Sequence, residues 1–427
     1  MVGVAGNPFR RRQYRDLWAA TFVSTVGDGI VVVALPLLVR SISEGDLAVA
    51  GVLAMTRLPL LLLSLDTLSS MRPTFRHSPF ARFMRMVNGA VAADRGDPRT
   101  VMIIADLVRA LVLGVLALTV VLNRTSIAAI YVTAFVLGFF EIPFSSAAQR
   151  VIPRTVDNDE LPQANARLST ASVSGEQFVG PGIGGILGAG AKVVPVLADA
   201  LSFVVSAMFL RRLPPQPAPA SPKHSLEMSG AWDWFRHDQP VFVSTLLVSA
   251  LAFAQAMTIA LLVQIGAETL QLSNGWVGFF IAAIAVGNLL GSLTAERVFN
   301  RLGYSSTLLV SLVLTAASYL VASATSNPVV VTAAFIVEGI VVMFGQIAYT
   351  VMRQRRIPEE MLGRVFALTR VFIRGPVPLA AFFAGWVASR RSPSAAIFVA
   401  GVLTAAAIPL GLRVRRTLRR LEADAVQ

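Results

Sequence analysis

The chain has 427 residues, of which 55% are hydrophobic and 14% are charged, and its formal net charge is +13. Soluble proteins carry about 25% charged residues, so this composition predicts a polytopic membrane protein rather than a soluble one. The absence of cysteine excludes disulfides, thiolate chemistry and cysteine metal sites. The basic residues recur in loops between apolar segments and form no single face, which argues against a nucleic-acid binder.

Twelve apolar segments are long enough to cross a bilayer, since a spanning helix needs about 20 mostly apolar residues. The first of them is too long for a signal peptide and is not followed by a cleavage site, so it is predicted to be retained. The predicted spans are residues 17–39, 47–65, 100–122, 127–149, 168–190, 192–210, 241–264, 275–295, 304–323, 328–350, 368–388 and 394–412.

The loop charges predict the orientation of these spans. With both chain ends on the cytoplasmic side, 28 of the 37 lysines and arginines lie in the inner segments and 5 in the outer loops. This bias agrees with the positive-inside rule. We therefore expect an all-α, multi-pass protein of the cell membrane with both termini in the cytoplasm.

The spans are predicted to form two six-helix bundles. The first bundle covers residues 1–210 and contains an atypical insert at about 66–88, whose structure the sequence does not predict. A proline-rich cytoplasmic linker follows at 211–240, and its polar composition separates the bundles. The second bundle covers 241–412, and residues 413–427 form a basic cytoplasmic tail.

Two short patterns recur in both halves. A glycine, an acid and an arginine share one spacing after the second and eighth spans, and we expect both sets to lie in loops. The copies are Gly89, Asp94 and Arg95 in the first half and Gly291, Glu296 and Arg297 in the second. A Gln-Arg pair followed by proline also recurs, at 149–153 and 354–358. Two matches at corresponding positions indicate a duplicated transporter of the parallel-repeat type.

A dense run of glycines with one proline lies in the fifth predicted span. Its members are Gly180, Pro181, Gly184 and Gly185. Such residues are tolerated in membrane helices because neighbouring helices satisfy the freed backbone groups. The glycines allow close approach of another helix, and the proline is expected to bend this one. A generic packing face of small residues is the alternative interpretation.

Ionisable residues inside the spans are the candidates for chemistry. A charge at the bilayer centre costs about 2.5–3.5 kcal/mol, so such residues are expected to face the protein interior. Asp28, Glu141 and Glu338 are candidates for proton coupling, because burial favours the neutral form of a carboxylate. Arg57, beside Pro59, is a candidate partner for Asp28.

Two further sets of intramembrane charges have simpler interpretations. Asp106 and Arg109 are three residues apart on one helix face, which predicts a local ion pair. Asp199 and Glu176 are placed near helix ends, where a solvated or capping role is as plausible as a functional one.

The sequence also bears on the energy source for transport and on the surface that contacts the substrate. Neither lysine of the chain, Lys192 or Lys223, fits a P-loop, so transport is expected to use an ion or substrate gradient. No cofactor and no metal site are predicted. Aromatic and amide side chains are candidates for lining a cavity for an amphipathic substrate; these are Tyr131, Gln255, Gln346 and Tyr349.

Taken in order, these motifs resemble the major facilitator superfamily over nearly the whole chain. The likeness is strongest to its twelve-helix drug and siderophore efflux branch, which contains macrolide and enterobactin exporters. The residues that carry it lie at 27–29, 34–36, 105–110, 163–167, 180–185, 199–203 and 362–365.

The resemblance implies a monomeric, proton-driven antiporter that exports an amphipathic small molecule by alternating access. It also implies a cavity lined by helices one, four, seven and ten. Gly89, Asp94, Arg95 and Arg99 match the family's inner-gate loop, with one residue more than the common spacing between the glycine and the aspartate. An importer or symporter of the same fold, and a non-transporting membrane sensor or partner, remain alternatives.

Overall fold

The computed structural model describes residues 8–43, 45–69, 97–157, 160–188, 190–215, 228–358, 361–413 and 415. Within these ranges the regular structure is helical. The helices are α1 (Arg12–Arg40), α2 (Asp46–Ser69), α3 (Pro98–Val121), α4 (Ile127–Val151), α5 (Leu161–Ser174), α6 (Gly180–Gly188), α7 (Val193–Leu210), α8 (Met228–His237), α9 (Gln239–Ile259), α10 (Asn274–Leu302), α11 (Tyr304–Ser323), α12 (Pro328–Arg356), α13 (Leu362–Arg374), α14 (Val377–Arg390) and α15 (Pro393–Ala406).

Each predicted span lies on one helix or on two consecutive helical segments, which confirms the all-α architecture. In the part of the chain that the structure describes, nine helical segments are long and apolar enough to cross a membrane. The other three predicted spans fall on α2, on α10, and on α5 and α6 together. A π-turn at Gly175–Val179 separates α5 from α6, and a second one, at Ile265–Thr269, follows α9 after one short turn.

Short polar caps explain where many of these helices begin. The side chains of Asp97, Ser126, Asp238, Asn327 and Ser392 each accept a hydrogen bond from a backbone N–H of the first turn. Proline follows four of these caps within two residues and needs no N–H partner there. The chain therefore marks its helix starts with cap and proline pairs.

Helix α3 shows how the sequence separates lipid from protein. Its outward positions are apolar and exposed, with Ile104 52%, Leu111 67% and Leu118 57% accessible. Its opposite face is buried and carries Asp106 and Arg109, each 0% exposed. A helix with apolar side chains outside and charges inside is arranged for a lipid solvent, in which charges face the protein interior.

Close contacts divide the chain into two compact units. Unit 1 contains α1 and α3–α7; unit 2 contains α2, α8, α9, α11–α15 and α10 from Ala283 onward, while the first residues of α10 group with unit 1. Helix α2 therefore belongs to unit 2, whereas the sequence predicts it in the first bundle, residues 1–210. The division into bundles at 1–210 and 241–412 stays a prediction.

Each unit has its own hydrophobic core. In unit 1, Tyr14 and Leu17 of α1 pack with Phe144 of α4 and Leu168 of α5. The Tyr14 hydroxyl donates to the Ala164 carbonyl at 2.8 Å, which ties α1 to α5. In unit 2, the corresponding apolar core joins α8, α9, α11, α12 and α13.

The second part of the predicted linker 211–240 contains a helix, α8. Residues 216–227 lie outside the described part, but α8 follows them directly. Phe235 of α8 is fully buried, and the Trp232 ring stacks on Phe372 of α13 with centroids 6.2 Å apart. These aromatic side chains give α8 an apolar face, which the run of prolines obscures in the sequence.

The prediction that Gly291, Glu296 and Arg297 lie in a loop is wrong. All three residues lie inside α10, which continues to Leu302 and ends at Gly303, where φ is +73°. Residues 291–302 contain no proline and no glycine other than Gly291, so nothing stops the helix earlier.

Candidate functional site

A buried arginine organises the charges of unit 1. The Arg109 guanidinium donates from Nη2 to Asp106 Oδ1 at 2.5 Å, one turn earlier on α3. Its Nη1 lies 3.5 Å from Asp28 Oδ1 on α1. The rings of Phe203 and Phe144 cover the guanidinium, with centroids 4.1 and 4.8 Å from Cζ. One cation therefore contacts carboxylates of two helices inside an aromatic enclosure.

The predicted Asp106–Arg109 ion pair is present, but it is part of a larger arrangement. Asp28 pairs with Arg109, a contact the sequence did not reveal because α1 and α3 are far apart along the chain. Arg57, the predicted partner of Asp28, is on α2 in unit 2, and that pairing stays a prediction.

A third carboxyl of unit 1 lies on α7. Asp199 is 0% exposed, and Ser202 Oγ donates to its Oδ1 at 3.1 Å. A Cβ added at Gly27 would lie 2.0 Å from both Asp199 Oδ1 and Ser202 Oγ, so this polar pair packs on the α1 backbone beside Asp28. Asp199 is the seventh residue of α7. The expectation of a solvated helix end is therefore wrong for Asp199.

The glycines of α6 pack on the same part of α1, at Gly29 and Ile30, next to the Asp199 contact at Gly27. A Cβ at Gly180 would lie 2.5 Å from Gly29 Cα, and one at Gly184 would lie 2.8 Å from the Ile30 carbonyl. Gly180, Pro181, Gly184 and Gly185 are all buried. The glycines thus permit backbone contact between α6 and α1, as their pattern predicts.

The helix irregularity before this run is a π-turn, Gly175–Val179, which ends immediately before Gly180. Pro181 cannot donate a hydrogen bond to residue 177, which is consistent with a widened turn at this point. A Cβ at Gly29 would lie 2.6 Å from the Glu176 carbonyl. Glu176 lies in the π-turn between α5 and α6, so it is not at the end of the predicted span 168–190.

Unit 2 contains a different buried carboxyl. Glu338 of α12 is 3% exposed and accepts a hydrogen bond from the Tyr319 hydroxyl of α11 at 2.8 Å. Tyr319 is fully buried, and its ring meets the edge of Phe335. Within the described residues, Glu338 forms no ion pair with a basic side chain. Its partner is thus neutral.

Glycines again bring helix backbones together beside this carboxyl. A Cβ at Gly287 of α10 would lie 2.2 Å from the Ile336 carbonyl of α12, and one at Gly291 would lie 2.5 Å from the Ile340 carbonyl. Gly339 faces Asn288 in the same crossing. The role of Gly291, Glu296 and Arg297 as a counterpart of the first-half loop stays a prediction.

The predicted inner-gate loop lies mostly outside the described residues, including Gly89, Asp94 and Arg95. Arg99, the exception, begins α3 and donates to the Leu210 and Arg211 carbonyls at 3.1 and 2.7 Å. In the structure it therefore caps the C-terminus of α7, where a cation is favoured. Its pairing with the acid of the predicted loop lies outside the described residues and stays a prediction.

The predicted cavity residues have different environments. Tyr131 on α4 and Gln255 on α9 are half-buried, and Gln346 on α12 is exposed. Tyr349 is only 2% exposed, its hydroxyl lies 2.8 Å from Thr245 Oγ1, and Arg353 stacks on its ring. A role in substrate contact stays a prediction for all four. Tyr319 and Asp199 are the residues that sequence reasoning missed as site members.

Comparison with known proteins agrees with this fold. The sequence profile described as Major Facilitator Superfamily matches residues 17–376. The chain is 26% identical over 410 residues to the enterobactin exporter EntS of Escherichia coli O1:K1 / APEC, covering 91% of this chain and 90% of that protein. A second strain, E. coli O45:K1 (strain S88 / ExPEC), has an EntS of the same similarity.

Solved structures show the same architecture. The nucleoside transporter NupG superposes with a TM-score of 0.72 at 12% identity, covering 95% of this chain and 99% of NupG. A bacterial homologue of the iron transporter ferroportin, in an inward-facing state, gives 0.72 at 15% identity, covering 95% and 98%. With the profile match, these findings show that the chain is a multi-pass transporter of the Major Facilitator Superfamily and not an enzyme.

Proposed function

We propose that the chain is a proton-coupled antiporter that exports an amphipathic small molecule from the cytoplasm by alternating access. It acts as a monomer in the cell membrane, with both termini in the cytoplasm. The observation that carries this proposal is the group of carboxyls buried inside spanning helices. Asp28, Asp106 and Asp199 lie with Arg109 in unit 1, and Glu338 lies with Tyr319 in unit 2.

Physical cost supports a role for these groups. Keeping a carboxyl inside a membrane helix costs several kcal/mol when it is charged and much less when it is neutral. In unit 1 the Arg109 guanidinium pairs with Asp28 and Asp106, while Asp199 is buried on α7 without an ion pair among the described residues, so Arg109 does not balance all three. Apolar replacements would fold at lower cost, which favours a working role such as binding and releasing protons.

The substrate class is inferred from relatives and from the predicted lining. The EntS relatives are named as exporters of enterobactin, a small molecule. Tyr131 and Gln255, both half-buried, provide aromatic and hydrogen-bonding surface of the kind that suits an amphipathic solute. We therefore infer export of a siderophore-like or drug-like molecule.

Transport by everted membrane vesicles tests this proposal. Vesicles from an efflux-deficient host that expresses the full chain are supplied with enterobactin or a macrolide, and a pH gradient is imposed. We expect uptake into everted vesicles, lost when an ionophore collapses the gradient. Substrate movement in the opposite direction would replace the exporter by an importer or symporter. No movement of any tested solute, with the protein correctly inserted, would contradict the proposal.

Glu338→Gln tests the coupling part separately. The amide keeps the size of the side chain and an acceptor for Tyr319 but cannot ionise. We expect loss of gradient-driven uptake and retention of substrate exchange in the absence of a gradient. Glu268→Gln is the matched control, since Glu268 is exposed in the π-turn after α9. Unchanged gradient-driven uptake in Glu338→Gln would remove Glu338 from the mechanism.

A further inference from the structure

We infer that Asp199 is the carboxyl of unit 1 that carries the transported proton, with Arg109 as the positioning residue that controls its release. This inference rests on the proposed proton coupling but assigns it to a residue whose sequence context indicated a helix end. Asp28, Asp106 and Asp199 differ in their contacts with Arg109 and in their exposure.

Two of the three carboxyls already have their compensation. Asp106 is in direct contact with the guanidinium at 2.5 Å. Asp28 Oδ1 lies 3.5 Å from it, and 27% of the Asp28 side chain is exposed. Arg109 in its observed position is therefore within ion-pair distance of both carboxyls.

Asp199 has neither form of compensation. It is 0% exposed, and among the described residues no basic side chain forms an ion pair with it. Ser202 donates to Oδ1, while Oδ2 is buried without a hydrogen-bond partner in the same part of the chain. An isolated buried carboxylate neutralises rather than remaining charged, so Asp199 binds a proton.

The surroundings of Asp199 provide a route for that proton. Asp199 contacts the α1 backbone at Gly27, the residue before Asp28, and Asp28 in turn pairs with Arg109 of α3, which also pairs with Asp106. The neighbouring helix α6 has no titratable side chain. If the guanidinium moves from Asp28 toward Asp199, the new cation stabilises the Asp199 carboxylate. Its proton then passes to Asp28, which loses the cation and is the more exposed of the two carboxyls.

The packing of α1 makes this exchange sensitive to conformation. Asp199 and Ser202 contact the backbone at Gly27, and the π-turn before α6 contacts it at Gly29. Asp28 is the residue between these two contacts. A displacement of α1 against α6 therefore changes the distances from Asp28 to both Asp199 and Arg109.

Infrared spectroscopy of the purified full-length protein in lipid tests the inference without any substrate. The signal is the C=O band of protonated carboxyls, recorded as the pH is raised. We expect Asp199→Asn to lose one titrating component that the wild type shows. Asp233→Asn serves as the control, since Asp233 is exposed on α8, and it should keep that component. A full titrating band in Asp199→Asn, or no buried component in the wild type, would overturn the inference.

A second variant covers the case in which Asp199→Asn fails to fold. Ser202→Ala keeps the carboxyl but removes its hydrogen bond, so the component should persist with a shifted frequency and midpoint. An unshifted component in Ser202→Ala would refute the assignment to Asp199. Vesicle transport distinguishes the two proposals: a wild type whose substrate accumulation is the same with and without a pH gradient disproves proton coupling even where the Asp199 component is found.

Discussion

The two units each bury carboxyls beside a glycine-mediated helix contact, but they compensate them differently. In unit 1, Gly29 meets Gly180 next to Asp28, and Arg109 supplies a positive charge. In unit 2, Gly287 meets the Ile336 backbone near Glu338, whose partner is a tyrosine hydroxyl. Both units thus use glycines to bring helix backbones together, but Asp28 of unit 1 pairs with an arginine and Glu338 of unit 2 with a tyrosine.

This difference separates two consequences of burying an acid. A buried carboxylate that pairs with an arginine can stay ionised. If the arginine is removed, the carboxylate charge stays buried without a counter-charge. A carboxyl held by a tyrosine has only a hydrogen bond to lose. We therefore expect unit 1 to respond strongly to removal of its partner and unit 2 weakly.

Removal of the arginine should have the largest effect. Arg109→Met leaves Asp28 and Asp106 without their cation, which we expect to lower the free energy of unfolding by about 3–5 kcal/mol. The loss should shrink as the pH falls, because the carboxyls are then protonated. Denaturant unfolding of the purified protein measures it, with Arg12→Met as the exposed control. Equal stability of Arg109→Met and wild type would contradict the expectation that unit 1 depends more strongly on its carboxyl partner than unit 2.

Glycine packing should give an intermediate effect. Gly180→Ala places a methyl group 2.5 Å from Gly29 Cα, and we expect a loss of about 1–3 kcal/mol from overpacking. Gly182→Ala is the matched control in the same helix, because a Cβ there meets nothing within 4 Å. Thermal unfolding of both variants measures the difference. Similar melting temperatures would show that the α1–α6 contact is not tight.

Loss of the tyrosine hydroxyl should have the smallest effect. Tyr319→Phe keeps the ring against Phe335 and removes one hydrogen bond, which contributes about 0.5–1.5 kcal/mol. Combining it with Glu338→Gln in a double-mutant cycle isolates the pair from other changes. A coupling as large as that of the Arg109 pair would show that the two units do not differ as proposed.

The sequence predicted the positions of the helices better than the contacts between them. Hydrophobicity placed every predicted span on helix, and nine helices of the described part are long and apolar enough to cross a membrane. The glycine spacing predicted the close contact at Gly180. Which helix faces which is not readable from the sequence, so the Asp28–Arg109 contact could not be predicted. Asp199 was placed near a helix end because the border between the fifth and sixth spans was uncertain. Pairing depends on helix rotation, which local composition does not specify.

The open side of Gly182 offers a practical consequence. The chain contains no cysteine, and a Cβ added at Gly182 would meet no neighbour within 4 Å. A single thiol introduced there would accept a fluorescent or spin label without displacing α1. Such a reporter would follow the glycine-rich helix directly while the molecule works, in an otherwise wild-type protein.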